Sequence, residues 1–276
     1  MKYVVGRYYF DSLFREEANK NFVDDLTKKE PFIDERSYQY ALGDFNSEIY
    51  EGHTFLRGLF GRMKKSDVTE VYNKETKEFN KSILSGKVDK KLEFLIDHAH
   101  HLIFVEYDNV IGPSYFADKF KEIFKHTSSV SNLELDFIFE EKDVYTELST
   151  WSLVEKITFK KLRPSNPSSL DTFEEIEKLI KETNSAKTKI EFHSSEESKD
   201  TTVENKGLNT DSILIKQGLA LSASGYGEAD LVGKKNEQSV QVSTGKFIRK
   251  IEIDFSEDGA LKKITQEIEN IQTNEK

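Results

Sequence analysis

The sequence predicts an α+β protein built mainly from antiparallel sheets, with a few packed helices and a helix at the C-terminus. Two patterns carry this prediction: apolar residues alternate with polar ones in several short segments, and they recur at helical spacing in others. The 276 residues include 20 Phe and 11 Tyr, which supply large core side chains. This length fits one large domain or two modest ones, and we place a boundary between residues 1–163 and 164–276.

The first part of the chain alternates between aromatic strand patterns and short helices. Residues 3–10 are rich in aromatic and β-branched side chains and predict a strand, and residues 16–26 predict an amphipathic helix. Residues 38–60 are aromatic and contain Gly43 and Gly52, which indicates strands joined by turns. We expect a surface helix at residues 66–82 and a buried strand at residues 101–107.

The middle of the chain contains the helix with the clearest apolar face. It is predicted at residues 114–126, with Ser114 as its N-cap. Residues 133–139 and 154–162 alternate between apolar and charged side chains, which is typical of strands with one solvated face. We expect these two strands to pair, and a helix to follow a proline-containing loop and end near Glu182.

The last third of the chain begins with a polar segment at residues 194–206, which predicts a mobile loop. Strands are expected at residues 213–221, 238–243 and 247–255. The final helix has an apolar stripe formed by Leu261, Ile264, Ile268 and Ile271. This stripe can extend a homodimer interface or pack on its own domain, and the sequence leaves both alternatives open.

The composition excludes several classes of function. With no cysteine there is no disulfide, thiolate nucleophile or cysteine-based metal site. No Walker A sequence, GxSxG elbow or dinucleotide fingerprint occurs, and we expect no cofactor. No apolar run approaches the length of a membrane span, so we expect a cytoplasmic protein without membrane contact. The net charge of −10 favours solubility.

A histidine-rich segment, Asp97-His98-Ala99-His100-His101, is the best candidate for metal or acid–base chemistry. In a strand, His98 and His100 share one face, and neutral imidazoles are ordinary ligands for zinc or iron. A third ligand would then come from His53, Glu106 or Asp97. The alternative is that these polar residues simply precede a buried strand.

Basic residues cluster in three short stretches of this acidic chain, which indicates charge segregation and suggests contacts with phosphates. The alternative is a solvated strand face balanced by nearby acids. A third stretch contains Lys246, Arg249 and Lys250. The residues that we expect to bind nucleic acid come from the first two stretches and are Arg57, Arg62, Lys64, Lys65, Lys160, Lys161 and Arg163.

Three segments follow one another along the chain: residues 50–56 (YEGHTFL), residues 102–108 (LIFVEYD) with the Gly-Pro turn that follows, and the strand at residues 156–162 with the Asn-Pro sequence after it. In these segments the chain resembles the RexA-type phage-exclusion proteins and related prophage and defence-island proteins. The resemblance implies a two-domain cytoplasmic homodimer that binds DNA with little sequence preference and aborts phage infection. The excess of 50 acids over 40 bases departs from the charge of a typical DNA-binding protein.

The sequence therefore favours a non-enzymatic, dimeric nucleic-acid-binding protein that acts in phage or mobile-element conflict. One alternative is a metal-dependent nuclease or hydrolase that uses His98 and His100. Another is an adaptor that binds a protein partner through its aromatic surface.

Overall fold

A computed structural model describes residues 1–11, 15–28, 31–64, 69–73, 78–82, 87–127, 132–164, 173–183, 187–194, 207–255 and 259–274. The strands within these ranges are β1 (Lys2–Asp11), β2 (Phe32–Asp34), β3 (Tyr38–Tyr50), β4 (His53–Lys64), β5 (Thr69–Asn73), β6 (Glu78–Ser82), β7 (Lys87–Asp97), β8 (Leu102–Glu106), β9 (Asn132–Phe137), β10 (Leu153–Leu162), β11 (Thr188–His193), β12 (Glu228–Lys235), β13 (Gln238–Ser243) and β14 (Lys250–Glu252). The helices are α1 (Arg15–Lys28), α2 (Pro113–Thr127), α3 (Glu141–Leu148), α4 (Glu174–Glu182), α5 (Ile213–Leu221) and α6 (Ala260–Asn274).

The contacts divide the chain into two compact units. Unit 1 contains residues 1–7 and 135–276, and unit 2 contains residues 8–134. The structure is α+β, as predicted. The strand pairs described below are antiparallel, and the last element that the structure describes is helix α6. The division does not coincide with the expected boundary at residue 163, because β10 pairs with β11 and β12 from later in the chain.

Unit 2 is a sheet covered by helices. Its strands follow the order β8-β7-β4-β3-β2, and each neighbouring pair is antiparallel. Helix α2 packs through Phe116 on Phe60 of β4, with ring centroids 5.2 Å apart, and through Phe120 on Phe94 of β7 at 5.7 Å. Phe22 of α1 lies 5.3 Å from Phe124 of α2. These rings form the core beneath the sheet.

Unit 1 contains the four-stranded antiparallel sheet β11-β10-β12-β13 and helices α3 to α6. Its core joins Ile157 and Phe159 of β10 to Ile176 of α4 and Leu219 of α5, all fully buried. The first residues of β1 pair with β14, with Lys2 opposite Glu252. Helix α5 continues into a π-helical turn at Ser222–Tyr226, where Gly225 has a φ of 83°.

The helices expected at residues 16–26 and 114–126, and the helix expected to end near Glu182, are confirmed by α1, α2 and α4. The strand expected at residues 213–221 is wrong, because this segment is α5. The surface helix expected at residues 66–82 is also wrong where the structure describes it, because β5 and β6 pair there as an antiparallel hairpin. The loop expected at residues 194–206 lies outside the described residues, apart from Ser194.

The expected pairing between the strands at 133–139 and 154–162 is wrong as well. Strand β9 pairs with β1, while β10 lies between β11 and β12, with Ile157 opposite both Phe192 and Leu231. Alternation identified each strand correctly but carried no information about its partner. In the part of the chain that the structure describes, no helix has the length and apolarity needed to cross a membrane.

Candidate metal centre

A tight hairpin places His53 at the edge of the unit 2 sheet. Tyr50 and His53 are paired at the ends of β3 and β4, and the two residues between them, Glu51 and Gly52, have φ values of 48° and 84°. Positive φ at both loop positions is the signature of a type I′ turn, whose twist matches that of the flanking strands. Gly52 is the residue that makes this turn possible. His53 is thereby held at the first position of β4.

A second turn, between β7 and β8, brings Asp97 and His100 to the same edge. Asp97 is the last residue of β7 and pairs with both Phe55 and Leu102. Because side chains alternate along a strand, His53, two residues before Phe55, faces the same side as Asp97. The Asp97 Oδ1 atom accepts a 3.1 Å hydrogen bond from the Ala99 N–H group, which fixes the start of the turn.

The side chains of His53, Asp97 and His100 converge around one carboxylate oxygen. Asp97 Oδ2 lies 3.2 Å from His53 Nδ1 and 2.6 Å from His100 Nδ1. The Asp97 side chain is fully buried, whereas 18% of the His53 side chain and 29% of the His100 side chain are exposed. The carboxylate therefore forms the floor of the cluster, and the two imidazoles form its accessible side.

The two imidazoles stabilise the ionised form of Asp97. Burial by itself raises the pKa of this carboxyl group, but the hydrogen bonds and charges of His100 and His53 outweigh it and lower the pKa below its usual value. A buried carboxylate that stays ionised at neutral pH can accept a cation without first losing a proton.

The three side chains fit a divalent transition-metal ion. One ligand atom from each residue can be chosen so that all three lie within 4.8 Å of one another, and within the described residues no other group of this kind is found. Tetrahedral zinc, with bonds of about 2.0–2.2 Å, holds its ligand atoms about 3.3 Å apart. The three ligand atoms lie within about 1.5 Å of that separation. Two imidazoles and one carboxylate leave a fourth position open, as in catalytic rather than structural zinc sites.

The expected pairing of His98 with His100 on one strand face is wrong. Residues 98–101 form a turn rather than a strand, so these side chains diverge. His98 Nδ1 lies 2.7 Å from the Tyr8 hydroxyl oxygen, and its ring stacks on Phe22. His53 and Asp97, which we considered as third ligands, are both in the cluster. Glu106 instead accepts a hydrogen bond from the Glu93 N–H group.

The basic residues expected to bind nucleic acid are mostly paired with carboxylates. In unit 2, Arg57 contacts Glu93 and lies 3.6 Å from Glu48, and Arg62 donates two hydrogen bonds to Asp89. Lys64 is exposed at the end of β4, and Lys65 lies outside the described residues. These pairs offset much of the positive charge in this stretch.

The β10 residues of unit 1 are paired in the same way. Lys160 contacts Asp230, and Lys161 Nζ lies 3.1 Å from Glu228. Arg163 is buried and donates a 2.7 Å hydrogen bond to Asp136, while burial lowers the pKa of its guanidinium to about 9, still above neutrality. Binding of nucleic acid through these residues stays a prediction, now with far less unpaired positive charge to support it.

Comparison with known proteins gives a family but no activity. A family model described as a domain of unknown function (DUF4747) matches residues 12–270. A search of curated proteins found no match. The matched segment includes His53, Asp97 and His100, so the candidate metal centre lies within the part of the chain that defines the family.

Proposed function

We propose that this chain, which belongs to the DUF4747 family of unknown function, is a metal-dependent hydrolase. His53, Asp97 and His100 bind a divalent transition-metal ion at the edge of the unit 2 sheet. The observation that carries the proposal is the convergence of two imidazole nitrogens on a fully buried carboxylate oxygen. Each of these groups comes from a tight turn that fixes its position.

A bound zinc ion would supply a water molecule whose pKa lies near neutrality, and hydrolysis is the chemistry that such a water performs. The residues of this chain set the conditions for it. Asp97 contributes the negative charge, and the partly exposed His53 and His100 leave one side of the centre open to a substrate. Two histidines and one carboxylate also bind iron in oxygenases, so metal identity is part of the test.

The test begins with metal binding by the full chain. Chelator-treated protein is titrated with Zn²⁺ by calorimetry, and we expect one site per chain. Replacing a ligand with alanine, His53→Ala or His100→Ala, should weaken binding by about 100-fold or more, since even residues that only support ligands change affinity 10–100-fold. The matched control is His126→Ala, an exposed histidine on α2 of the same unit, which should bind like the wild type.

Activity is then measured on bis(p-nitrophenyl) phosphate and p-nitrophenyl acetate with Zn²⁺, Mn²⁺ or Fe²⁺. The proposal predicts metal-dependent turnover that His100→Ala abolishes and His126→Ala retains. If the wild type binds no metal, or if His53→Ala and His100→Ala bind as tightly as the wild type, the metal centre does not exist. Binding without turnover on either substrate would leave a metal-binding protein and remove the hydrolase.

We also propose nucleic-acid binding as a second function, in the phage or mobile-element context that the RexA-type resemblance implies. One observation favours it: the Arg62 guanidinium of β4 lies 4.9 Å from the centroid of the Tyr38 ring on the neighbouring strand β3. Aromatic rings with stacked arginines are typical platforms for single-stranded bases.

This second proposal predicts a gel shift of single-stranded DNA at about 50 mM salt that weakens as salt rises. Tyr38→Ala should weaken binding by about 5–150-fold, the range for losing one stacked base. Lys189→Ala, which removes an exposed lysine of unit 1, is the control. Absence of a shift at about 50 mM salt would remove the proposal.

A further inference from the structure

The turn that carries Asp97 and His100 is held in place by a residue that does not belong to the metal centre. The Tyr8 N–H group donates a 2.9 Å hydrogen bond to the His101 carbonyl oxygen. The Tyr8 hydroxyl oxygen lies 2.7 Å from His98 Nδ1. Tyr8 therefore contacts the turn at two points, on either side of His100.

Aromatic stacking reinforces both contacts. The His101 ring lies nearly parallel to the Tyr8 ring, with centroids 5.3 Å apart and an angle of 10°. Phe22 of α1 stacks on Tyr8 at 4.7 Å and on His98 at 5.6 Å. Tyr8 and Phe22 are both fully buried, so these rings form a rigid support inside unit 2.

The conformation of the turn requires such support. His101 has a φ of 57°, in the left-handed region that residues other than glycine rarely adopt. Backbone of this kind persists only where the surroundings fix it, and it is concentrated at functional sites. Here the fixing contacts come from Tyr8, which bonds to the carbonyl group of the same residue.

We infer that Tyr8 is a positioning residue for the metal centre: its hydroxyl group forms a hydrogen bond with His98 Nδ1 and so holds the turn in the form that directs His100 toward Asp97. The inference rests on the proposed metal site. His98 then has a supporting role, which explains why this residue, next to Asp97 in the chain, contacts Tyr8 and not the cluster. Neither residue touches the metal.

The test compares two buried tyrosines that each lose only a hydroxyl group. Tyr8→Phe keeps the ring stack and removes the contact with His98. The control is Tyr40→Phe, a buried tyrosine of β3 whose hydroxyl contacts Tyr115. The readouts are the affinity of the chelator-treated full chain for Co²⁺ and the visible d–d absorption of the bound ion, which reports its coordination geometry.

We expect Tyr8→Phe to weaken Co²⁺ binding by about 10-fold or more and to change the d–d spectrum, as supporting residues of metal ligands do. Tyr40→Phe should change neither. His98→Phe should reproduce the effect of Tyr8→Phe, and the double variant should be no weaker than either single one, since both remove the same contact.

The possible failures are distinguishable. If the wild type binds Co²⁺ and Tyr8→Phe matches it in affinity and spectrum, the positioning role is overturned while the metal centre stands. If the effects of Tyr8→Phe and His98→Phe multiply in the double variant, the two residues act separately and the inference is also wrong. If the wild type binds no Co²⁺, the proposed function fails, and the inference fails with it.

Discussion

Asp97 is the residue on which the candidate centre depends. Its Oδ1 atom closes the β7–β8 turn through the Ala99 N–H group, and its Oδ2 atom receives both imidazoles. A carboxylate without solvent contact is costly unless such partners surround it, and here they lower its pKa. The same residue thus has a structural role in the turn and a chemical role in the cluster, and the two roles can be separated by substitution.

We predict that Asp97→Asn retains the Oδ1 acceptor for Ala99 but removes the charge that binds the two histidines. In metal-free protein this should lower the free energy of unfolding by about 1–3 kcal/mol, the usual cost of disrupting a buried hydrogen-bonded group. Urea unfolding followed by circular dichroism measures the change.

The control for this prediction is Asp89→Asn on the same strand, which breaks the exposed ion pair with Arg62. Exposed pairs contribute about 1 kcal/mol or less, so its effect should be the smaller one. Equal losses in the two variants would show that the Asp97 cluster contributes no more than a surface ion pair.

Among the helices, α6 carries the apolar stripe that the sequence assigns either to a dimer interface or to packing within the chain. Ile264 and Ile268 are fully buried within a single chain, and Ile271 is nearly so. The stripe therefore packs on its own chain, which was one of the two alternatives that the sequence left open. Homodimerisation stays a prediction, and its interface would have to use another surface.

We predict that Ile268→Ala lowers the free energy of unfolding by about 2–5 kcal/mol, because it leaves a cavity in a packed core. The fluorescence of Trp151, the one tryptophan in the chain, follows this transition because Trp151 is buried in the unit 1 core. Glu269→Ala, at the exposed neighbouring position, should change stability by about 0.5 kcal/mol or less. A change in molar mass by light scattering for Ile268→Ala would instead indicate that the stripe forms a dimer interface.

The spacing of apolar residues predicted the helices and strands better than it predicted which elements they pack against. The helices α1, α2, α4 and α6 have apolar faces at helical spacing, and all four were predicted. Helix α5 was missed for two reasons. Its start, Ile213 to Ile215, is rich in β-branched residues and resembles a strand, and Gly218 on the buried face has no apolar side chain to reveal the helical spacing. That glycine is required by packing: a Cβ atom there would lie 2.6 Å from the Phe159 ring.

The candidate site was predictable in composition but not in geometry. The sequence identified the histidine-rich segment and named His53 and Asp97 as possible ligands. It treated residues 98–100 as a strand, however, and so paired His98 with His100. The left-handed His101 and the contacts of Tyr8 decide which histidine faces Asp97, and these depend on residues about 90 positions apart in the chain.

At the scale of the whole molecule, the chain combines a net charge of −10 with basic residues that mostly contact acids. This arrangement favours a site that binds a cation over a broad surface that binds a polyanion. The candidate metal centre lies wholly within unit 2, between two turns at one edge of the sheet. The proposed function therefore depends on whether a metal ion binds there through His53, Asp97 and His100.

X-ray absorption spectroscopy of the zinc-loaded full chain can decide whether these side chains bind the metal. We expect a first shell with two imidazole nitrogens and at least one oxygen at about 2.0–2.2 Å, with imidazole scattering reduced in His53→Ala and in His100→Ala. A first shell without imidazole scattering, or a wild-type spectrum unchanged in both variants, would rule out the metal centre.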